Sequence, residues 1–232
     1  MMLAQVPTRI LQPGSPTEPT VRINSHLYLL EDCPADLLDL APFSWYYLGP
    51  AATNASNDAY GVVVNEIVPY TLGQVNDWVQ VWSDAGSGNG TDFSLWRGIP
   101  ENPAHVMLGG IFVRSHNKPT IDESRYIRTI DKDVLVTVKA TPEIWNDMGS
   151  GARADGAVWG ISTAGNTKAI NTGAFIPVQG YNNLPGVAYA LDSTKVTVVG
   201  QVCPHTSSSL FKHDLNIFTY SRETNVPEMV GK

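Results

Sequence analysis

One seven-residue pattern, Trp-x-Asp-x-Gly-Ser-Gly, occurs twice in the chain and constrains its fold more than any other feature. The copies begin at Trp82 and Trp145, an offset of 145 − 82 = 63 residues, and each continues to a second Asp and a second Trp at identical spacing. Seven matched positions without a gap indicate an internal duplication, with repeat motifs over residues 82–96 and 145–159. The two copies are therefore expected to adopt the same bend in related environments.

Each copy is predicted to be a strand, a tight turn and a returning strand. The glycines supply backbone angles that other residues resist. The first aspartate of each copy, Asp84 or Asp147, can accept a hydrogen bond from the backbone amide two residues on. Asp92 and Asp155 are expected to fix the returning strands.

The rest of the sequence favours short strands separated by turns, since the chain contains 20 Gly and 16 Pro. Several segments alternate apolar and polar residues, as half-buried antiparallel strands do. A single short helix is predicted over residues 34–40. The predicted strands are residues 60–68, 77–82, 93–96, 105–113, 126–130, 134–139, 143–145, 157–161, 174–178, 187–191, 195–202 and 216–220.

This pattern predicts an antiparallel all-β fold with a β-prism-like arrangement of pseudo-equivalent sheets, and a two-sheet β-sandwich is the alternative. Three equivalent units are natural for a prism and only two are legible in the sequence, so a third, diverged unit would have to be sought around residues 20–70 or 195–220. Residues 1–20 hold four prolines and are predicted to form a flexible tail. Residues 21–232 are predicted to form a single domain.

The negative charge of the chain disfavours nucleic acids as partners. With 15 Lys and Arg against 22 Asp and Glu, the net charge is −7, which disfavours a nucleic-acid surface because phosphate binding needs clustered cations. No apolar stretch approaches the roughly 20 residues of a transmembrane helix, and no secretory signal is visible. A soluble protein is predicted, in the cytoplasm or at the periphery of endomembranes.

Residues 145–159 carry a longer motif, Trp-x-Asp-x-Gly-Ser-Gly-Ala-Arg-x-Asp-Gly-x-x-Trp. In this motif the chain resembles the vacuolar protein sorting-associated protein 62 family of fungi and plants, and the likeness runs from about residue 61 to residue 191. The first copy departs from the motif at residues 89–91. The family name implies a link to vacuolar sorting but supplies no chemistry. Further similarities are Leu108-Gly109, Lys118-Pro119 and Gly173-Ala174-Phe175.

The repeated loops are candidate ligand sites. A carboxylate beside the amides of a Gly-Ser-Gly turn can bind vicinal hydroxyls, and an adjacent Trp offers a flat face for stacking. The sequence therefore predicts a non-enzymatic, lectin-like binding module for a carbohydrate or a polar lipid headgroup. The predicted ligand-binding residues are Asp84, Gly86, Ser87, Gly88, Asp92, Trp96, Asp147, Gly149, Ser150, Gly151, Asp155 and Trp159.

The same residues allow a purely structural interpretation, in which Asp and Gly shape the turns and Trp fills the core. Replacing Asp84 and Asp147 together distinguishes the two, because folding would be lost only if these residues are structural. A second functional hypothesis is a protein-interaction or scaffold module in vacuolar trafficking or defence. It would use an exposed aromatic patch at residues 45–47, with a protein partner or a second copy of the chain.

Neither catalysis nor a cofactor is predicted. Ala85 and Met148 stand where a nucleophile elbow needs Gly, and no phosphate-binding glycine loop of the Walker type is present. Calcium ligation by Asp84, Asn89 and Asp92 fits no known loop spacing, so no metal is predicted. Zinc ligation by Cys203, His205 and His213 is disfavoured as well, because a structural site normally needs four ligands.

Overall fold

The computed structural model describes residues 2–3, 27–33, 45–52, 61–201, 218–220 and 227–229. The predicted all-β class is confirmed, because strands dominate these residues and the α-helical part is a single turn. The helix predicted over 34–40 and most of the predicted tail lie outside the described residues. The strands are β1 Met2–Leu3, β2 Leu27–Cys33, β3 Trp45–Tyr47, β4 Gly61–Glu66, β5 Leu72–Gly73, β6 Val75–Ser83, β7 Ser94–Pro100, β8 His105–Val106, β9 Ile111–Val113, β10 Thr129–Asp131, β11 Leu135–Asn146, β12 Gly156–Ser162, β13 Ala169–Ile170, β14 Ile176–Gln179, β15 Ala188–Asp192, β16 Val196–Gln201, β17 Phe218–Tyr220 and β18 Pro227–Met229.

The short helix α1, Ile121–Ser124, forms where the sequence carries a capping box. Thr120 Oγ1 accepts the Glu123 amide at 3.2 Å, and a Glu123 carboxylate oxygen accepts the Thr120 amide at 2.8 Å. This reciprocal pair satisfies two amides at the start of the turn. A 3-10 turn, Lys132–Val134, leads into β11.

The two repeats form equivalent parts of two sheets. In the first repeat, β6 pairs with β7 and β7 pairs with β9. In the second repeat, β11 pairs with β12 and β12 pairs with β14. The second sheet is extended to five strands, in the order β13-β15-β11-β12-β14.

A further four-stranded sheet, in the order β16-β2-β4-β3, is built from the two regions where a diverged third unit is expected. It contains a departure from the predicted antiparallel pairing, because β16 lies parallel to β2. These strands are far apart in sequence, so no hairpin fixes their relative direction. The prism-like arrangement of the sheets stays a prediction.

Two parts of the chain divide into strands differently from the prediction, and other strand ends differ from it by up to four residues. Residues 135–139 and 143–145 belong to the one long strand β11, which stays continuous by means of register shifts between Ala140 and Trp145, whereas Val134 ends the preceding 3-10 turn. Residues 105–113 instead divide into β8 and β9. The chain leaves the ladder between them, and the Gly110 amide donates to the Phe175 carbonyl at 2.8 Å.

Aromatic side chains from both repeats form one apolar cluster. Trp82 and Trp145 are buried and meet edge to face, with ring centroids 5.1 Å apart and an interplanar angle of 78°. Phe93 and Phe112 stack beside them at 5.3 Å. The cluster joins the repeats, because the buried rings of Trp82 and Trp145 contact each other.

Within the described part of the chain, no helix has both the length and the hydropathy needed to span a bilayer.

Replacing Gly110 by Ala is expected to lower the free energy of unfolding by about 1–3 kcal/mol. An added Cβ would lie 2.4 Å from Pro177 Cγ and 2.7 Å from the Trp96 carbonyl oxygen, so backbone and ring would have to move. Urea denaturation followed by tryptophan fluorescence measures the change. In the control Gly186→Ala the new Cβ meets no atom within 4 Å, so stability should stay within about 0.5 kcal/mol of the wild type. Equal stabilities for the two variants would contradict this packing.

Candidate functional site

The first loop, residues 84–92, and the second loop, residues 147–155, make the same backbone hydrogen bonds. In the first loop the Ser87 amide donates to the Asp84 carbonyl at 2.9 Å, and in the second the Ser150 amide donates to the Asp147 carbonyl at 2.8 Å. The serine hydroxyls then accept the amides of Asn89 and Ala152, at 3.2 and 3.1 Å. Two segments with matched sequences therefore close by the same contacts.

Left-handed backbone angles explain the Gly-Ser-Gly sequence. Gly86 and Gly88 have φ of +96° and +79°, and their counterparts Gly149 and Gly151 have +81° and +79°. Residues with a Cβ adopt this region only at a cost, so glycine is favoured at all four positions.

The first aspartate of each loop is buried, with a relative exposure of 4% for both Asp84 and Asp147. Asp84 Oδ1 accepts the Phe93 amide at 2.9 Å, and Asp147 Oδ1 accepts the Gly156 amide at 2.7 Å. The prediction that each aspartate accepts the backbone amide two residues on is therefore wrong. Each carboxylate instead accepts the amide of the residue nine positions later, on the other side of the loop. These carboxylates thus anchor the returning strands.

The prediction that Asp92 and Asp155 fix the returning strands is wrong for their carboxylates. Both residues are exposed, and the strand amides bond instead to the buried aspartates. The Asp155 backbone takes part in the fold, because its carbonyl accepts the Gly180 amide at 2.8 Å. The exposed carboxylates are accessible to a ligand.

The two loops contact each other directly. Trp82 Nε1 donates to Asp147 Oδ2 at 3.0 Å and to the Ala154 carbonyl at 2.8 Å. The Arg153 amide donates to the Ala85 carbonyl at 2.8 Å. The loops therefore lie side by side and form one surface.

Close packing also distinguishes the two repeats. Position 93 of the first repeat is a fully buried Phe, whereas the equivalent position of the second repeat is Gly156. A Cβ on Gly156 would lie 2.4 Å from Trp82 Cδ1, so the Trp82 ring takes the space of a side chain there. The duplicated units are thus similar in backbone and complementary in packing.

The tryptophans of the predicted site differ in accessibility. Trp96 is buried, and its Nε1 donates to Ser94 Oγ at 2.6 Å, so its ring belongs to the core. Trp159 is half-buried. Trp96 therefore offers no flat face to a ligand at the first repeat.

Two residues that the sequence analysis missed complete the loops. His116 Nε2 lies 2.7 Å from Asp84 Oδ1, and His116 Nδ1 lies 3.8 Å from Asp92 Oδ2. In the second loop the Tyr181 hydroxyl interacts with the carboxylates of Asp155 and Asp147. A sequence signal existed, because the two residues follow the first Trp of their repeats at near-equal distances: 116 − 82 = 34 and 181 − 145 = 36 residues.

The environment of Tyr181 disfavours its ionised form. Burial, together with the hydrogen bonds and negative charges of Asp155 and Asp147, raises the pKa of the Tyr181 phenol well above its ordinary value of 10.0. Tyr181 therefore remains a neutral hydroxyl between two carboxylates at physiological pH.

The first loop brings together the residue types that bind metal ions. Asp84, Asp92 and His116 each offer one ligand atom, and these atoms lie within 4.8 Å of one another. Only His116 comes from outside the loop.

Replacing Asp147 by Ala is expected to lower the free energy of unfolding by about 3 kcal/mol or more, because the Gly156 amide and Trp82 Nε1 would lose a charged acceptor inside the protein. Thermal unfolding followed by circular dichroism measures the loss. Asp92→Ala is the control, since the Asp92 side chain is 63% exposed, and its melting temperature should match that of the wild type. A fully stable Asp147→Ala protein would show that the carboxylate is not structural.

Wild-type protein is expected to lose stability faster than Tyr181→Phe as the pH rises above about 10. The pKa of Tyr181 is raised by folding, so its contribution to stability is complete below the unfolded-state pKa and declines as the pH rises toward the folded-state pKa. Denaturant titrations from pH 8 upward test this. Tyr70→Phe, which changes a tyrosine that is 85% exposed, should follow the wild type. Parallel curves for wild type and Tyr181→Phe would refute the assignment.

The fold and its loops define an all-β domain with a duplicated Asp-x-Gly-Ser-Gly turn. No protein-family model and no curated protein sequence matches the chain. The fold is similar to the crystal structure of GNIP1Aa from Chromobacterium piscinae, with a TM-score of 0.60 and 19% sequence identity. The similarity covers 77% of this chain and 39% of that chain, so this chain spans about two fifths of the length of GNIP1Aa. At this identity the likeness shows the fold alone.

Proposed function

We propose that this chain is a non-enzymatic binding domain that recognises a polyhydroxylated ligand, either a carbohydrate or the polar headgroup of a lipid. The proposed site is the loop rim, formed by the exposed residues of the two loops. The observation that carries the proposal is that the loops lie side by side, with the Arg153 amide bonded to the Ala85 carbonyl. The loop rim consists of Gly86, Gly88, Gly90, Asp92, Met148, Gly149, Gly151, Arg153 and Asp155.

The rim offers polar groups of both kinds to hydroxyls. The carboxylates of Asp92 and Asp155 are acceptors, and the Arg153 guanidinium is a donor. Gly88 and Gly90 have no side chain, and no atom lies within 4 Å of where a Cβ would stand, so a ligand can approach the backbone closely at these two positions. This favours recognition by hydrogen bonds rather than by stacking on Trp96, whose ring is buried.

The buried carboxylates support binding indirectly. Asp84 and Asp147 hold the returning strands, so the rim is ordered before a ligand arrives and less conformational entropy is lost on binding. Met148, which is 62% exposed beside Gly149, adds an apolar contact for the carbon face of a sugar or for a lipid chain.

A non-enzymatic role is consistent with the partners of the polar residues. His116 contacts two carboxylates rather than a hydroxyl nucleophile. Ser150 Oγ donates to the buried Asp147 at 3.1 Å and also accepts the Ala152 amide. These hydroxyl and imidazole groups serve loop structure, so we propose no covalent chemistry.

Arrays of glycans and of lipids, probed with the purified chain, test the proposal and separate its two ligand sources. We expect specific retention on one array and a strong reduction in the double variant Asp92→Ala/Asp155→Ala, because the loop rim then lacks both exposed carboxylates. If the thermal stability of this variant equals that of the wild type, the reduced retention reflects a loss of binding and not a loss of folding.

Asp133→Ala is the matched control for this experiment. Asp133 is exposed and lies just before β11, at the opposite end of that strand from the second loop. The control should bind as the wild type does. Blank arrays for the wild type, or undiminished binding by the double variant, would overturn the proposal.

The scaffold hypothesis lacks support from the patch expected at residues 45–47. Tyr47 is buried, and the Tyr46 ring is covered by the Arg128 guanidinium at 3.9 Å. A place in vacuolar trafficking is proposed from the family resemblance alone.

A further inference from the structure

We infer that the first loop binds one divalent first-row transition ion, such as Zn²⁺ or Mn²⁺, through Asp84, Asp92 and His116. Ligands about 2.0–2.2 Å from a shared ion lie no more than about 4.4 Å apart. The three ligand atoms already fall within 4.8 Å of one another. The Asp92 side chain is 63% exposed and is free to close the remaining gap.

The mixed ligand set decides the class of ion. One imidazole with two carboxylates suits zinc or manganese, whereas calcium and magnesium favour sites made of oxygen ligands alone. A cation would also balance the charge of Asp84, whose side chain is only 3% exposed, because a buried carboxylate is costly without a compensating charge.

The second loop provides an internal comparison. There Tyr181, a poor ligand for these ions, stands beside Asp147 and Asp155. Asp147 Oδ2 accepts Trp82 Nε1 at 3.0 Å and Ser150 Oγ at 3.1 Å. Asp147 is thus engaged by neutral donors, and the second loop is expected to bind no ion.

The first loop differs at the same atoms. Among the described residues, Asp84 Oδ2 has one hydrogen-bond partner, Asn89 Nδ2 at 3.4 Å. A flip of the Asn89 amide exchanges its nitrogen for an oxygen, which would supply a fourth ligand. The two loops have the same backbone conformation, but only the side chains of the first loop form the inferred metal site.

His116 is held in place independently of any ion. Its carbonyl accepts Gln80 Nε2 at 3.2 Å, and the neighbouring Ser115 carbonyl accepts the Ser94 hydroxyl. The loop after β9 is thus fixed to both strands of the first hairpin. The sequence predicts no metal here because Asp84, Asn89 and Asp92 fit no known calcium loop spacing. His116 joins the two aspartates only in the folded chain.

Calorimetric titration of Zn²⁺ and, separately, Mn²⁺ into the chelator-treated full chain tests the inference. We expect one ion per chain for the wild type and an affinity at least about tenfold lower for His116→Gln and for Asp92→Asn. Asp155→Asn, the equivalent change in the second loop, is the matched control and should keep wild-type affinity. Asp84 is left intact because it also holds the Phe93 amide.

Circular dichroism and thermal unfolding accompany each variant. Should His116→Gln fail to fold, Asp92→Asn carries the test, since the Asp92 carboxylate is exposed. Absence of binding of both ions at millimolar concentration, or undiminished affinity in the folded variants, would overturn the site. No glycan is present in the titration, so the ion site and the proposed function fail or succeed separately.

Discussion

The fold of this domain depends on two buried carboxylates, each of which closes a nine-residue loop onto its returning strand. Asp84 accepts the Phe93 amide, and Asp147 accepts the Gly156 amide. A buried carboxylate is tolerated only when hydrogen bonds replace its water, and bonds to an ionised acceptor are stronger than neutral ones. Asp147 also accepts the indole N–H of Trp82 from the other repeat. The same group therefore shapes its own loop and joins the two units.

The duplicated units keep one backbone but use it differently. At equivalent places, Phe93 fills the core of the first repeat while Gly156 makes room for the Trp82 ring in the second. The two aspartates of the first loop contact His116, whereas the two aspartates of the second loop contact Tyr181. Once the buried aspartates fix both bends, such exchanges alter the chemistry of a loop without altering its shape. This divergence underlies the inference that only the first loop takes an ion.

Much of the fold was accessible from the pattern of the residues. Alternation and turn residues placed most strands near their observed positions, because a strand with one buried face requires a period of two. The capping box at Thr120 and the break after Val106 were missed. The break forms because the Gly110 amide bonds to the Phe175 carbonyl, a contact between residues 65 apart, counted as 175 − 110 in the sequence. Local patterns carry no information on such long-range contacts.

The sequence by itself determined that two matched segments exist and that glycine occupies their left-handed positions, since both follow from the local backbone requirements of a tight turn. Only the tertiary structure decided which carboxylates are buried and which are exposed. Each loop contains two aspartates that are chemically identical. In each loop the first is buried and the second is exposed, because different residues pack around them. The tertiary structure also brings His116 and Tyr181 to the loops. Their positions are set by the strands that follow each repeat and not by neighbours in sequence.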